Sequence, residues 1–147
     1  MANFVYDHAK LLLATGALNL STADCRLALL MTNTTADTEK DKGTISGYTL
    51  LDDYDGSGYP AGGIAFTGET VTEDNSGHKA ILDANDITFN AIGAGTRQAQ
   101  GALLYAFVSS LGASIPIAWF DTGGFPFAGN GSNVTFQVNA AGLLNLT

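Results

Sequence analysis

The chain has a single cysteine, Cys25, in 147 residues. No disulfide can form within it, so the fold has to be held by buried apolar surface, for which this length suffices. Cys25 itself lies in the apolar run Cys25-Arg26-Leu27-Ala28-Leu29-Leu30-Met31 and reads as a small buried hydrophobe. Positive charge is scarce: six lysines and arginines stand against 14 aspartates and glutamates, a net charge of −8. Phosphate backbone and anionic lipid both require clustered cations, so nucleic acid and membrane surfaces are poor partners. No apolar run approaches the ~18 residues of a membrane span. The N-terminus lacks a basic segment followed by an apolar stretch and a cleavage site, Leu11-Leu12-Leu13 being too short, so folding in a cytosol is the expectation. The two histidines, His8 and His78, have no metal-ligand spacing. There is no Gly-x-Ser-x-Gly elbow, no phosphate loop with its lysine and no Cys-x-x-Cys pair. The expectation is a chain with no catalytic residue, no cofactor and no metal.

What the sequence does have is apolar residues, 46% of the total, and 18 glycines without a fixed period. This combination argues against disorder, collagen and solenoids, and for one domain rich in short strands and tight turns. The most continuous apolar stretch runs from Gly101 to Phe120. Two runs, Gly101–Val108 and Ile115–Phe120, flank a turn-like Ser109-Ser110-Leu111-Gly112-Ala113-Ser114. They predict an antiparallel hairpin at the centre of the sheet, buried on both faces, with Leu103, Tyr105 and Phe107 on one side and Leu104, Ala106 and Val108 on the other. Pro116, without a donor, belongs at the start of its strand. The one helical pattern covers residues 3–15, with a stripe of Phe4, His8, Leu11, Leu12 and Thr15, Asn3 as cap and Gly16 as stop.

Strand signals recur every 8 to 12 residues or so through Cys25–Met31, Ile64–Thr67, Val71–Glu73, His78–Leu82, Ile87–Phe89 and Val134–Val138. Asp74-Asn75-Ser76-Gly77 and Asn130-Gly131 are turn sequences between them. The fold class expected is mainly β, an antiparallel sandwich or barrel-like domain with one N-terminal helix over about 3–15. Thr32–Gly43 is polar and predicts an exposed loop with no core of its own. Ile45–Gly63 is broken by glycines, with a brief helical turn expected around Tyr48–Tyr54.

Three places could carry function. Asp52, Asp53 and Asp55 crowd a Gly-rich turn and could offer oxygen ligands to Ca²⁺, but their spacing fails the EF-hand pattern and an acidic surface turn is the simpler account. Tyr48, Tyr54, Tyr59, Phe125 and Phe127 sit in Gly-rich loops, where aromatics form carbohydrate platforms or protein contacts, or plug the space beneath a loop. The chain closes on Leu143, Leu144 and Leu146, a tail apolar enough to be tied into the sheet or an interface. These eight apolar and aromatic residues form the candidate interaction surface.

Laid end to end, several blocks resemble a family of small structural proteins of tailed bacteriophages, encoded among virion genes. They are Lys10 and Leu11 in the helix, Gly16-Ala17-Leu18-Asn19-Leu20, Arg26-Leu27-Ala28-Leu29-Leu30, Gly58-Tyr59-Pro60-Ala61-Gly62-Gly63, and 80–89 from Ala80 to Phe89. Ile117-Ala118-Trp119-Phe120-Asp121-Thr122-Gly123 and 134–144 from Val134 to Leu144 complete the order. The resemblance implies a non-enzymatic virion component made in the host bacterial cytoplasm. A head decoration or cement protein is expected first, bound to the major capsid protein or other virion proteins on the outer shell as a homo-oligomer. Collar or tail components, a carbohydrate-binding module using the loop tyrosines, and a small hydrolase using Asp52–Asp55 are the alternatives.

Overall fold

The computed structural model describes residues 3–147. The chain is mainly β, and all its strand pairs are antiparallel. In order come β1 (Phe4–Val5), α1 (Asp7–Thr15), β2 (Asp24–Met31), β3 (Ile64–Ala65), β4 (Thr70–Asp74), β5 (Lys79–Asp83), β6 (Ile87–Phe89), β7 (Ala99–Phe107), β8 (Ile115–Phe120), β9 (Val134–Phe136) and β10 (Leu144–Leu146). Five of them form the main sheet in the order β1-β8-β7-β2-β3. The expected hairpin is therefore its centre, with β7 held between β8 and β2. Two smaller sheets, β10-β5-β4 and β6-β9, supply the second layer. Among the described residues no helix is long and apolar enough to cross a membrane.

Alternation along the central strands divides the interior into two cores. Cys25, Leu27, Leu29 and Met31 of β2 face the same way as Ala102, Leu104 and Ala106 of β7, onto Leu82, Ile87, Phe89 and Leu144. Ala28, Leu30, Leu103, Tyr105 and Trp119 face the other way, onto Tyr6, Ala9, Ala36, Ile45 and Tyr48. A sheet covered on both faces reads as unbroken apolar runs, which is why these strands are the most legible part of the sequence. Gly101 is required at the point where Trp119 crosses β7, since a Cβ there would lie 2.3 Å from the indole. Pro116 is the second residue of β8 rather than the first. The register slips beside it: Leu104 opposes Ala118 while Tyr105 opposes Pro116, so Ile117 is the extra residue of a bulge. The Ile117 carbonyl accepts the Tyr6 N–H at 2.9 Å.

Several local expectations are corrected. The helix begins at Asp7, not Asn3, because Phe4 and Val5 pair with Trp119 and Ala118 as an edge strand. Asn3 is consequently no cap; its Oδ1 accepts the Asp121 N–H at 3.2 Å. The inward face of α1 is Ala9, flanked by half-buried Leu12 and Leu13, while Leu11 is 57% exposed. Gly16 does stop the helix, in the left-handed conformation. The short helical turn lies at Ile45–Gly47 rather than around Tyr48–Tyr54.

The polar stretch from Thr32 is not a loose loop. Ala36 is fully buried, and the Tyr6 hydroxyl donates to its carbonyl at 2.6 Å. Glu39 ties the stretch to the next one, accepting from the Thr35 hydroxyl at 2.6 Å, the Thr49 N–H at 2.8 Å and the Thr49 hydroxyl at 2.7 Å. Threonine and glutamate supply hydrogen bonds where apolar side chains are lacking, and so a polar segment roofs the second core. The tail behaves as expected: β10 pairs with β5, and Leu143 N–H bonds to the Leu82 carbonyl at 2.8 Å.

Candidate functional site

Each acidic residue of the 52–55 turn has a different partner. Asp52 receives the Arg97 guanidinium on both carboxylate oxygens and the Asn33 N–H at 3.0 Å. Asp53 accepts from the Gly62 N–H at 2.7 Å and the Tyr59 hydroxyl at 3.1 Å. Burial pushes the Asp53 carboxyl above its ordinary range, and these two hydrogen bonds offset the effect only in part. Asp55 accepts from the Thr96 N–H and hydroxyl, both at 2.8 Å, and is held below the ordinary range by them. The three carboxylates diverge because residues 52–54 run alongside the end of β2. The Met31 N–H bonds to the Asp52 carbonyl there, and the Tyr54 N–H to the Leu29 carbonyl. Asp52 itself takes a left-handed φ of 55°, which turns its carboxylate out of the strand line toward Arg97. Among the described residues no group of three His, Cys, Asp or Glu is placed to hold a metal ion.

Several other titratable or nucleophilic groups are likewise built into the fold. Cys25 is 1% exposed, and burial pushes its thiol up to about 11, so it has no thiolate character at neutral pH. His8 packs on Gly43, and His78 sits in the β4–β5 turn with a positive φ. Asp121 accepts the Trp119 indole N–H at 3.1 Å.

The loop aromatics turn out to divide by depth. Tyr48 and Tyr54, expected among the surface contacts, are 7% and 2% exposed. They are plugs beneath loops, because each loop is short of apolar side chains and borrows one aromatic to seal the core. The Tyr54 hydroxyl is a hub: it donates to the Gly93 carbonyl at 2.9 Å and accepts from the Gly95 and Gly129 N–H groups, each at 3.0 Å. Tyr59 is half-buried and accepts the Leu29 N–H at 2.9 Å. Leu143 and Leu144, from the candidate surface, are also interior, at 7% each, and only Leu146 remains half-exposed.

Phe125 and Phe127 are half-buried, packed against the first core. A row of rings leads from them inward: Phe125 to Phe127 at 5.5 Å, Phe127 to Tyr54 at 6.4 Å, Tyr54 to Tyr59 at 5.5 Å and Tyr59 to Phe89 at 5.6 Å. Beside that row lies a cleft of about 1070 Å³ between the 122–127 loop and the 134–143 segment. Phe120 and Phe136 form its floor, edge to face at 5.5 Å. Its polar lining includes Thr122, Thr135, Gln137 and Asn139, and it holds a carboxylate, Asp86, but no cationic side chain. The Val138 N–H occupies Asp86 at 2.8 Å. Nothing here supplies a nucleophile paired with a base; the cleft offers aromatic area and amide or hydroxyl hydrogen bonds, the ingredients of binding. Phe120 and Phe136 were not named from the sequence as surface candidates. The signal that could find Phe136 is the alternation of Val134, Phe136 and Val138 with exposed Thr135 and Gln137, which sets all three on one half-buried face.

No protein-family model, no curated protein and no solved structure matches the chain.

Proposed function

We propose that this chain is a structural protein of a tailed-bacteriophage virion, a head decoration or cement protein that seats on the outer shell and stiffens it without chemistry. The reading rests first on the order of sequence blocks that resembles that family. The structural observation that supports it is how the reactive groups are spent. Asp52, Asp53, Asp55, Glu39 and Asp121 all hold loops or core side chains, while Cys25 and the Tyr6, Tyr54 and Tyr59 hydroxyls are buried or bonded within the fold. What faces outward is hydroxyl, amide and acidic surface, with half-buried aromatics lining the cleft beside the 122–127 loop. A building block under load gains from a sheet packed on both faces, because shear must then disrupt two cores at once. The net charge of −8 keeps such a protein soluble before assembly. Two of the three loop tyrosines that a carbohydrate platform would use, Tyr48 and Tyr54, are interior, which favours the building-block reading.

The test is location. Electron microscopy of purified particles, with copy number from quantitative mass spectrometry, is expected to place hundreds of copies on the shell. A dozen copies at the portal end would make it a collar protein instead. Intact particles that wholly lack the chain, or turnover of a substrate by the purified protein, would overturn the reading.

A further inference from the structure

The edges of the three sheets are unequal. β1 and β3 end the main sheet with two residues each, and β6, β9 and β10 present three each. β4 is an edge strand of five residues in unbroken register with β5. Among the described residues, no backbone hydrogen bond reaches it from its outer side. Such an edge is a template for another strand, and proteins usually blunt it with lysine, proline or a bulge. β4, Thr70-Val71-Thr72-Glu73-Asp74, has none of these; its protection is the charge of Glu73 and Asp74, which repels an acidic strand and not a basic one.

Its side chains say which strand would fit. Register sets Val71 opposite Leu82, and Glu73 opposite Ala80. Leu82 and Ala80 are in turn opposite Leu144 and Leu146, so Val71 and Glu73 share the face that leads down into the core. Val71 is nevertheless 43% exposed, at the rim of a shallow depression that also includes Ala80 and Leu146. Glu73 is exposed, and neither it nor Glu69, one residue before the strand, has an ion-pair partner among the described residues. No cation is committed to Glu73; Lys79, on the neighbouring strand, pairs instead with Asp74 at the end of β4. Lys10, Arg26, Lys42, Lys79 and Arg97 are paired with carboxylates, and Lys40 stands 4.3 Å from the Phe4 ring. A second copy is a poor occupant: antiparallel pairing centred on Val71 would set Glu73 of each copy against Glu69 of the other, and pairing centred on Thr72 would set it beside Val71, so neither register brings a cation to Glu73.

We propose that the outer edge of β4 accepts an extended segment of a partner protein as a fourth strand, carrying an apolar side chain beside Val71 and a lysine or arginine beside Glu73. Backbone hydrogen bonds supply the affinity, and the alternating pair of side chains supplies the choice of partner. This deepens the virion reading, which it takes as its setting, by naming the docking edge and the chemistry it recognises.

The experiment uses the full chain, isotopically labelled, with two synthetic end-capped peptides: alternating lysine and valine, and alternating glutamate and valine. The lysine peptide is expected to shift and protect from exchange the amides of Thr70–Asp74, to bind about tenfold more tightly than the glutamate peptide, and to weaken as salt rises. Glu73→Lys, a surface change, is expected to reverse the preference. Equal binding of the two peptides would overturn the proposal, as would an unperturbed β4. Protection of β4 that grows with protein concentration alone would overturn it too, by showing a second copy on the edge. Should β4 select the lysine peptide while particles lack the protein, the edge stands and the virion setting falls. Particles that carry the protein with a β4 indifferent to both peptides would give the reverse result.

Discussion

Replacing Tyr54 by phenylalanine removes one oxygen atom and, with it, three hydrogen bonds. The ring can stay, packed on Tyr59 and Phe127 at 5.5 and 6.4 Å, so little apolar contact is lost. What changes is that the Gly93 carbonyl and the N–H groups of Gly95 and Gly129 lose their partner. A buried polar group left unsatisfied costs about 1–3 kcal/mol. Gly129 is buried, while Gly93 and Gly95 are half-buried and within reach of water, so their costs fall toward the low end. The sum is about 3 kcal/mol, which for a chain of this size lowers Tm by roughly 6–12 °C. Tyr48 is the control built into the same molecule. Its buried hydroxyl meets only the Tyr6 hydroxyl, which already donates to the Ala36 carbonyl, so Tyr48→Phe strips no backbone group of its partner and is expected to cost less than about 1 kcal/mol. Urea unfolding followed by the fluorescence of Trp119, the only tryptophan and fully buried, reads both variants. Tyr54→Phe within about 1 kcal/mol of the parent, or Tyr48→Phe costing as much as Tyr54→Phe, would refute the idea that Tyr54 acts through its hydroxyl.

Other perturbations have equally definite outcomes. Gly101→Ala places a methyl 2.3 Å from the Trp119 ring and 2.7 Å from the Phe120 carbonyl, and is expected to cost about 1–3 kcal/mol in the same urea assay with a red-shifted Trp119 emission. Deleting residues 143–147 strips β10 from β5, removes two buried leucines worth about 1.5–3 kcal/mol each and uncovers Leu82, so the truncated chain is expected to bind a hydrophobic dye and melt early. Glu39 is lowered from 4.5 to about 2, chiefly by the Thr35 hydroxyl and then by Thr49, so its contribution is complete above about pH 4.5 and is lost as pH falls toward 2. Asp24, Asp55 and Asp74 are lowered in the same sense. The raised Asp53 runs the other way, favouring the fold as it takes up a proton in acid. Glu39→Gln is accordingly expected to flatten the acid limb of a stability–pH profile while leaving the Asp53 component in place.

Legibility in the sequence followed from how a segment is stabilised. β7, β8 and β2 could be found because both their faces are buried, and two-sided burial leaves an unbroken apolar run. β10 is legible for another reason: Leu144 and Leu146 face inward and Asn145 outward, the alternation of a strand buried on one side. The polar stretch 32–43 was misjudged because Ala36 is small and its anchors are hydrogen bonds: Thr35 and Glu39 look like any solvated pair until Thr49 is brought beside them. Phe4 and Val5 were misassigned for a related reason. A two-residue edge strand has too few residues to show a period, so the helical stripe absorbed it, although only its partner in β8 decides the matter. Tyr48 and Tyr54 were set on the surface because glycine-rich loops usually are there, yet nothing local tells a tyrosine above a loop from one beneath it.

The same contrast bears on where recognition can reside. Two-sided burial commits every side chain from Leu27 to Leu30, and from Ala102 to Tyr105, to the interior, so the most conspicuous sequence is the least available for binding. Free surface with shape has to come from elements that pack on one side only: the 122–127 loop, β9 and the β4–β5 hairpin. Of these, β4 buries least, four of its five residues being exposed, and it ends in the acidic pair Glu73 and Asp74. A strand that buries almost nothing gains little from its own core, and its free edge is the part of the molecule whose hydrogen bonds a partner can still complete.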